Sequence, residues 1–326
     1  MSEGNSQSLN EAEAPRAFAD EFREYWERLP DKGLFLGLAI PWLLLFHVVG
    51  NSTLGYGVSA SLYDWMADIY NSPFNDESHG FLMPFVVLYL FWWKREELDA
   101  VEKRNWAAGL AVLAVAAALH VVGFVVQQAR LSVIAMFLGL YGVMGLTWGT
   151  AFLRASFFPF VLLAFCMPLG ALTEGITVPL RLLVTKASVW IGVHLLSIDV
   201  AHDGSRLLAT DGSFQYDVAP ACSGIRSLTA LMILTTIVSF VALKGWWRKL
   251  VLIAAAPPVA IAGNVLRITS VLIAGQAFGQ EAGSKVHDHA WILTWGLALA
   301  CMGGLYGLLS REPGSDGRKL NVEEAA

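Results

Sequence analysis

Long apolar runs, each about as long as a bilayer is thick, alternate with short polar stretches along most of the chain. A helix needs about 20 predominantly apolar residues to cross the hydrocarbon core. Uncharged runs of that order lie at 33–49, 105–129, 131–153, 155–173 and 290–310. Two more, 222–243 and 250–275, qualify although each holds one arginine, Arg226 and Arg267. The run 80–93 is shorter, but it ends in Trp92-Trp93 followed by Lys94-Arg95, as a span meeting an interface should. The pattern predicts an all-α, polytopic bundle of about eight transmembrane helices. The stretch 176–196 is also apolar, yet it contains Arg181, Lys186 and His194. Counting it as a span would reverse the direction of everything after it, so it is expected to be an interfacial or re-entrant helix.

The first 32 residues are polar and carry eight acids, so a cleavable signal peptide is not expected and the first span serves as an anchor. Within them Phe18, Phe22, Trp26 and Leu29 recur at helical spacing, which predicts an amphipathic helix lying on the membrane surface. The chain thus divides into a cytoplasmic N-terminal segment (1–32), a transmembrane domain (33–310) and a polar Pro-Gly-Ser tail (311–326) expected to be disordered. No internal repeat and no soluble domain stand out.

Composition agrees: 56% of the residues are hydrophobic and 15% charged. Soluble domains carry about 45–50% and about 25%, so a soluble enzyme is excluded. A net charge of −5 without a basic tract makes nucleic acid an unsuitable partner. Three cysteines are too few for a disulfide framework. The basic residues are distributed unevenly. Arg16, Arg23, Arg28 and Lys32 precede the first span, Lys94, Arg95, Lys103 and Arg104 follow the second, and the loop 50–79 has none. Arg154, Lys244, Arg248, Lys249 and the tail fall on the same side if eight spans are counted, which puts both termini in the cytoplasm.

Ionisable groups inside spans are costly and are functional candidates by default. Cys222 and Arg226 open the sixth span, and their spacing of four would put them on one helix face. The free N–H groups of a helix start, and a cation, both favour a thiolate. Arg267 comes 17 residues after Leu250, roughly 26 Å along a helix rising about 1.5 Å per residue. It therefore reaches the same outer level, with Asn264 on its face, while His287, Asp288 and His289 fall in the outer loop before the last span. Alternatives stay open at this point. The arginines could snorkel to headgroups, and the His-Asp-His run could be a solvated loop or part of a metal site. No further Cys or carboxylate stands near that run in sequence, so no metal is assigned. Cys166, Cys301, His47 and His120 read as packing residues, and Pro257-Pro258 as a kink.

The stretch Ala221-Cys222-Ser223-Gly224-Ile225-Arg226-Ser227-Leu228 resembles the signature of the exosortase/archaeosortase family. The resemblance extends to Asn264-Val265-Leu266-Arg267-Ile268, to His287-Asp288 and to Ser78-His79-Gly80-Phe81, in the family's order. Where the family often has a glycine shortly after the histidine, this chain has Ala290-Trp291, which leaves His289 as a substitute for His287. The resemblance implies a membrane-embedded cysteine transpeptidase without a cofactor. Its partners would be membrane lipid and secreted proteins bearing a C-terminal sorting signal: a short motif (Pro-Glu-Pro in bacterial systems), a membrane helix and a basic tail. It further implies Cys222 as nucleophile, Arg267 as oxyanion donor and His287 as acid and base, supported by Arg226, Ser223, Asn264 and His79. Two other classes remain: a transporter or channel with an anion site at Arg226 and Arg267 on a helix broken at Pro257-Pro258, and a non-catalytic factor for exopolysaccharide-linked export.

Overall fold

The computed structural model describes residues 17–53, 59–72, 77–170, 172–218 and 224–311. The architecture is an all-α polytopic bundle. Among the described residues, six helical stretches are long and apolar enough to cross a membrane: Lys32–Val49, Ala129–Cys166, Leu172–Leu195, Ile225–Ala242, Trp246–Phe278 and Trp291–Ser310. Two shorter apolar helices, His79–Trp93 and Gly109–Val125, accompany them. The chain forms two compact units, Met1–Met66 with Met83–Met167, and Ala67–Leu82 with Pro168–Ala326. Most of the tail expected to be disordered lies outside the described residues.

The first unit contains α1 (Phe18–Arg28), α2 (Lys32–Val49), the start of α3 (Leu62–Asn71), most of α4 (His79–Trp93), α5 (Arg95–Ala100), α6 (Gly109–Val125) and α7 (Ala129–Val161). The aromatic stripe before the first span forms α1, as its spacing predicts. Phe18 and Tyr25 meet Trp92 edge-on at centroid distances of 5.0 and 6.2 Å, and the Arg95 guanidinium lies 4.5 Å over the same ring. Arg95 pairs with Glu21 at 3.2 Å and Arg28 with Asp99 at 3.3 Å. Trp148 Nε1 donates to Pro30 O at 2.9 Å, and Lys94 Nζ to Ala155 O at 2.6 Å. The basic residues flanking three apolar runs therefore gather at one end of this unit. Burial, then the Asp99 charge, pushes the Tyr25 hydroxyl up to about 12 against the opposing pull of Arg28.

Glycines let the helices of this unit approach closely, as in other membrane bundles. A Cβ at Gly109 would stand 2.7 Å from Gly142 O, so α6 and α7 touch backbone to backbone. Trp42 covers Gly139 and donates Nε1 to Met136 O at 2.9 Å. The two mid-span histidines have partners beyond their own helices: His120 Nδ1 is 2.9 Å from Ser132 Oγ, and His47 Nδ1 is 3.1 Å from Ser61 Oγ.

The expected division between spans 131–153 and 155–173 is corrected. The helix breaks at Gly149 (φ 83°, ψ −180°), not at Arg154, and its second part ends at Val161 before a 3-10 turn, Leu162–Cys166. Arg104 N donates to Trp148 O at 3.3 Å, and a side chain at 149 would run into Arg104 O. Charge marks a membrane interface, but backbone geometry places the break where a residue without a Cβ takes positive φ.

The second unit contains α8 (Leu172–Leu195), strands β1 (Val200–Asp203), β2 (Arg206–Ala209) and β3 (Gln215–Asp217), then α9 (Ile225–Ala242), α10 (Trp246–Phe278), α11 (Gln280–His289) and α12 (Trp291–Ser310). Residues 176–195 of the segment expected to be interfacial or re-entrant belong to one continuous helix, α8, which is long and apolar enough to cross a membrane. After it comes an antiparallel sheet of order β1-β2-β3, pairing Val200 with Ala209 and Arg206 with Asp217. Its inner face buries Val200, Leu207, Ala209, Phe214 and Val218 against Val184 of α8 and Ile268 and Leu272 of α10. A second apolar cluster, including Leu231, Leu252, Ala256, Ala260, Ala298 and Met302, joins α9, α10 and α12. α10 runs 33 residues without interruption at Pro257-Pro258, about 50 Å at 1.5 Å per residue.

At the start of α8, Glu77 is buried, with 6% of its surface exposed. Its carboxylate accepts Leu169 N–H at 2.7 Å, Gly170 N–H at 2.6 Å and the Thr173 hydroxyl at 3.0 Å. A charge out of water is stable when donors surround it this way. It ties the segment before α4 to the start of α8.

Candidate active site

Three elements of the second unit meet around the arginine of α10. The first is the start of α9. Gly224 has φ 83° and precedes Ile225, the first helical residue. The expectation that Cys222 and Arg226 share a helix face rests on a residue, Cys222, that lies outside the described residues. Gly224 also sits against α10: a Cβ there would be 3.0 Å from Asn264 Nδ2. A side chain at 224 is therefore disfavoured by the positive φ and would press on the Asn264 side chain. Asn264 is buried at 2% exposure, and Arg226 is exposed in the first turn of α9.

The second element is α11. Gly279 (φ 84°) turns the chain out of α10, and the following ten residues carry His287, Asp288 and His289 on a helix rather than the expected loop. Arg267 Nη2 donates to His287 O at 3.1 Å, so the arginine holds the end of α11 by its backbone. Arg267 Nε is buried and has no hydrogen-bond partner among the described residues. His287 is half-buried, with Nδ1 3.6 Å from Asp288 Oδ1. His289 is exposed, and its Nδ1 lies 2.9 Å from Lys285 O of its own helix. α12 then returns against α10, where Thr294 Oγ1 reaches Gly263 O at 3.5 Å and Ala290 O at 3.0 Å.

The third element is the sheet. Tyr216 of β3 seats its ring tip in a slot between Gly275 of α10 and Gly283 of α11, and its hydroxyl donates to Gln280 O at 3.0 Å. Burial raises the Tyr216 hydroxyl above the ordinary tyrosine range. The sheet thereby roofs a cavity of about 310 Å³ over α10 and α11, with His287 and Asp288 in its wall.

The described contacts thus bring Gly224, Asn264, Arg267 and His287 together. His79 is half-buried at the first position of α4, and the contacts that fix its neighbourhood run from Glu77 to the start of α8. Cys222 and Ser223, the first two candidates of the cysteine motif, lie outside the described residues. Cys166 is buried and Cys301 exposed. Among the described residues, no three His, Cys, Asp or Glu side chains group as metal ligands. The sheet residues Tyr216 and Asp217 were not anticipated from the sequence. Their signal was present, since Asp-Gly occurs at 203–204 and 211–212 between short β-prone runs, a strong hairpin marker.

Comparison with protein families matches most of the chain. Residues 72–307, well over half the chain, fit the family described as transmembrane exosortase. No curated protein matches the chain, and neither does any solved structure. The matched region includes the cysteine, arginine and histidine motifs together with the whole of α8–α11, and by this match the chain belongs to the transmembrane exosortase family.

Proposed function

We propose that this exosortase is a cysteine transpeptidase that cleaves the C-terminal sorting signal of secreted proteins through a thioester on Cys222. It would work at the outer face of the inner membrane, with both termini cytoplasmic, as part of exopolysaccharide-associated protein export. The observation that carries the mechanism is the divided use of Arg267. One nitrogen, Nη2, fixes the end of α11, while Nε is a buried donor with no partner among the described residues. A buried N–H left unpaired costs about 1–3 kcal/mol. An oxyanion forming beside it would recover that cost in the transition state, where it accelerates the reaction.

Cys222 is two covalent steps from Gly224, a reach of about 7 Å at roughly 3.5 Å per residue, and Gly224 touches Asn264, one turn from Arg267. In the proposed step the Cys222 thiolate adds to the scissile carbonyl and the oxyanion accepts from Arg267. His287 protonates the departing amine, whose C–N bond breaks to leave the thioester. His287, now neutral, then removes a proton from the acceptor. Its backbone link to Arg267 favours it over the exposed His289, with Asp288 beside it to stabilise the imidazolium. Arg226, exposed at the start of α9, suits an acidic residue of the sorting motif. The rival transporter reading needs a discontinuous helix near Pro257-Pro258, and α10 is continuous there.

The test is processing of a protein bearing such a sorting signal in cells that express the enzyme. Cys222→Ala is expected to abolish it, whereas Cys166→Ala and Cys301→Ala retain it. Continued processing by Cys222→Ala would overturn the assignment.

A further inference from the structure

The cavity beneath the sheet has a chemistry of its own. Its floor is apolar, with Ile268 and Val271 of α10, and its polar wall comprises Asp217, Ser284, His287 and Asp288. Among the described residues, no lysine or arginine lines it. Arg206 is the register partner of Asp217 across the sheet, but it forms no ion pair with that carboxylate and is not part of the wall. Asp217 is instead held by the Ser205 hydroxyl at 3.0 Å. At the thioester stage, with His287 neutral, the two carboxylates are the charged groups of the described wall, and they attract an ammonium group and repel a carboxylate. An acidic residue of a sorting motif is therefore the wrong occupant. At about 310 Å³ the space is also at the small end of ligand pockets, yet larger than water needs.

The geometry points to this cavity as the acceptor subsite, taking a small group that carries a primary amine, held as its ammonium form by Asp217 and Asp288 beside His287. This rests on the transpeptidase reading and names the second substrate of that site. The chemistry closes. The ammonium gives a proton to the neutral His287 imidazole. The freed amine nitrogen attacks the thioester carbon, an N–C bond forms and the C–S bond breaks. The departing Cys222 thiolate and the His287 imidazolium restore the starting ion pair, and the second proton lost from nitrogen returns to solvent. The acceptor must stand next to the base that deprotonates it, and His287 meets that condition because it is itself part of the cavity wall.

The test uses the full-length enzyme in nanodiscs with a substrate protein bearing the sorting signal. Mass spectrometry reads the partition of product between amide and free acid at matched extents of cleavage. Glycinamide is expected to be captured with saturation. Glycine, with a carboxylate in place of the carboxamide, should be captured about tenfold less well after correction for the fraction of free amine that each supplies. Discs with and without phosphatidylethanolamine separate a lipid amine from a soluble one, and capture of either supports the subsite. Asp217→Asn combined with Asp288→Asn should lower the amide-to-acid ratio about tenfold. Asp217→Glu, which keeps the charge, and Ser205→Ala, which removes only the supporting hydrogen bond, should keep that ratio. Equal capture of glycine and glycinamide, a ratio unmoved by the double variant, or cleavage that yields acid alone would overturn the subsite. Loss of cleavage is a separate outcome: absence in the wild type, or persistence in Cys222→Ala, would overturn the transpeptidase reading itself.

Discussion

Replacing Gly283 with alanine should destabilise the roof of the site when Tyr216 is present and stabilise it when Tyr216 is absent. A Cβ at 283 would strike Tyr216 Oη and lie 2.6 Å from Cζ. The ring has nowhere to go, since a Cβ at Gly275 would already be 2.7 Å from Oη, and Phe214 stacks on the ring at 5.3 Å. Overpacking of this kind costs up to about 3 kcal/mol. Against it stands a gain of about 1 kcal/mol for exchanging glycine for alanine within a helix such as α11. The net is about 2 kcal/mol of destabilisation, roughly a 30-fold rise in local opening. In a Tyr216→Ala background the clash disappears and the helix gain remains, trimmed by a 3.1 Å contact with Val271 O. The two backgrounds should therefore differ by about 3 kcal/mol and in sign. Hydrogen exchange followed by mass spectrometry on peptides of β1–β3 and α11, in nanodiscs, measures both values. An equal effect of Gly283→Ala in both backgrounds would show that Tyr216 does not occupy the slot.

Arg267→Lys should lower the rate of sorting-signal cleavage about 10²–10³-fold, because one ammonium cannot both hold His287 O and serve a second acceptor; a near-normal rate measured on purified enzyme would reduce Arg267 to an anchor. Glu77→Gln sets an amide N–H₂ against donors that now meet a carboxylate, at a cost of about 1.5–3 kcal/mol, and exchange at the Leu169 and Gly170 amides should accelerate at least tenfold. For Tyr25, a difference titration of wild type against Tyr25→Phe at the phenolate band should place the missing step near pH 12. Asp99→Asn should move that step down, since the Asp99 charge is one of its causes after burial; a step at the ordinary tyrosine position would contradict the packing of α1.

The parts of this fold that depend on local pattern could be read directly from the residues. The stripe Phe18, Phe22, Trp26 predicts α1, and counting 17 residues from Leu250 to Arg267 predicts that Arg267 and the histidines lie at a common level. In the structure Arg267 Nη2 donates to His287 O. What depended on distant backbone could not be read in this way. The break at Gly149 is set by the carbonyl of Arg104, 45 residues earlier, and the Glu77 carboxylate is satisfied by amides more than 90 residues away. Gly224 is intermediate. It belongs to the cysteine motif, but only the approach of Asn264 and its positive φ show that it caps α9, whose first residue is Ile225. The sheet 200–217 is marked in the sequence only by two Asp-Gly pairs, a small signal among so many helical runs.

The central claim is that Cys222 carries the acyl group. Acid-quenched reactions of the enzyme with a substrate bearing the sorting signal, digested and mapped by mass spectrometry, test it directly. The account predicts an adduct with the mass of the upstream substrate fragment on the peptide containing Cys222, released by neutral hydroxylamine and absent from Cys222→Ala. An adduct on another residue, or cleavage that persists in Cys222→Ala, would contradict it.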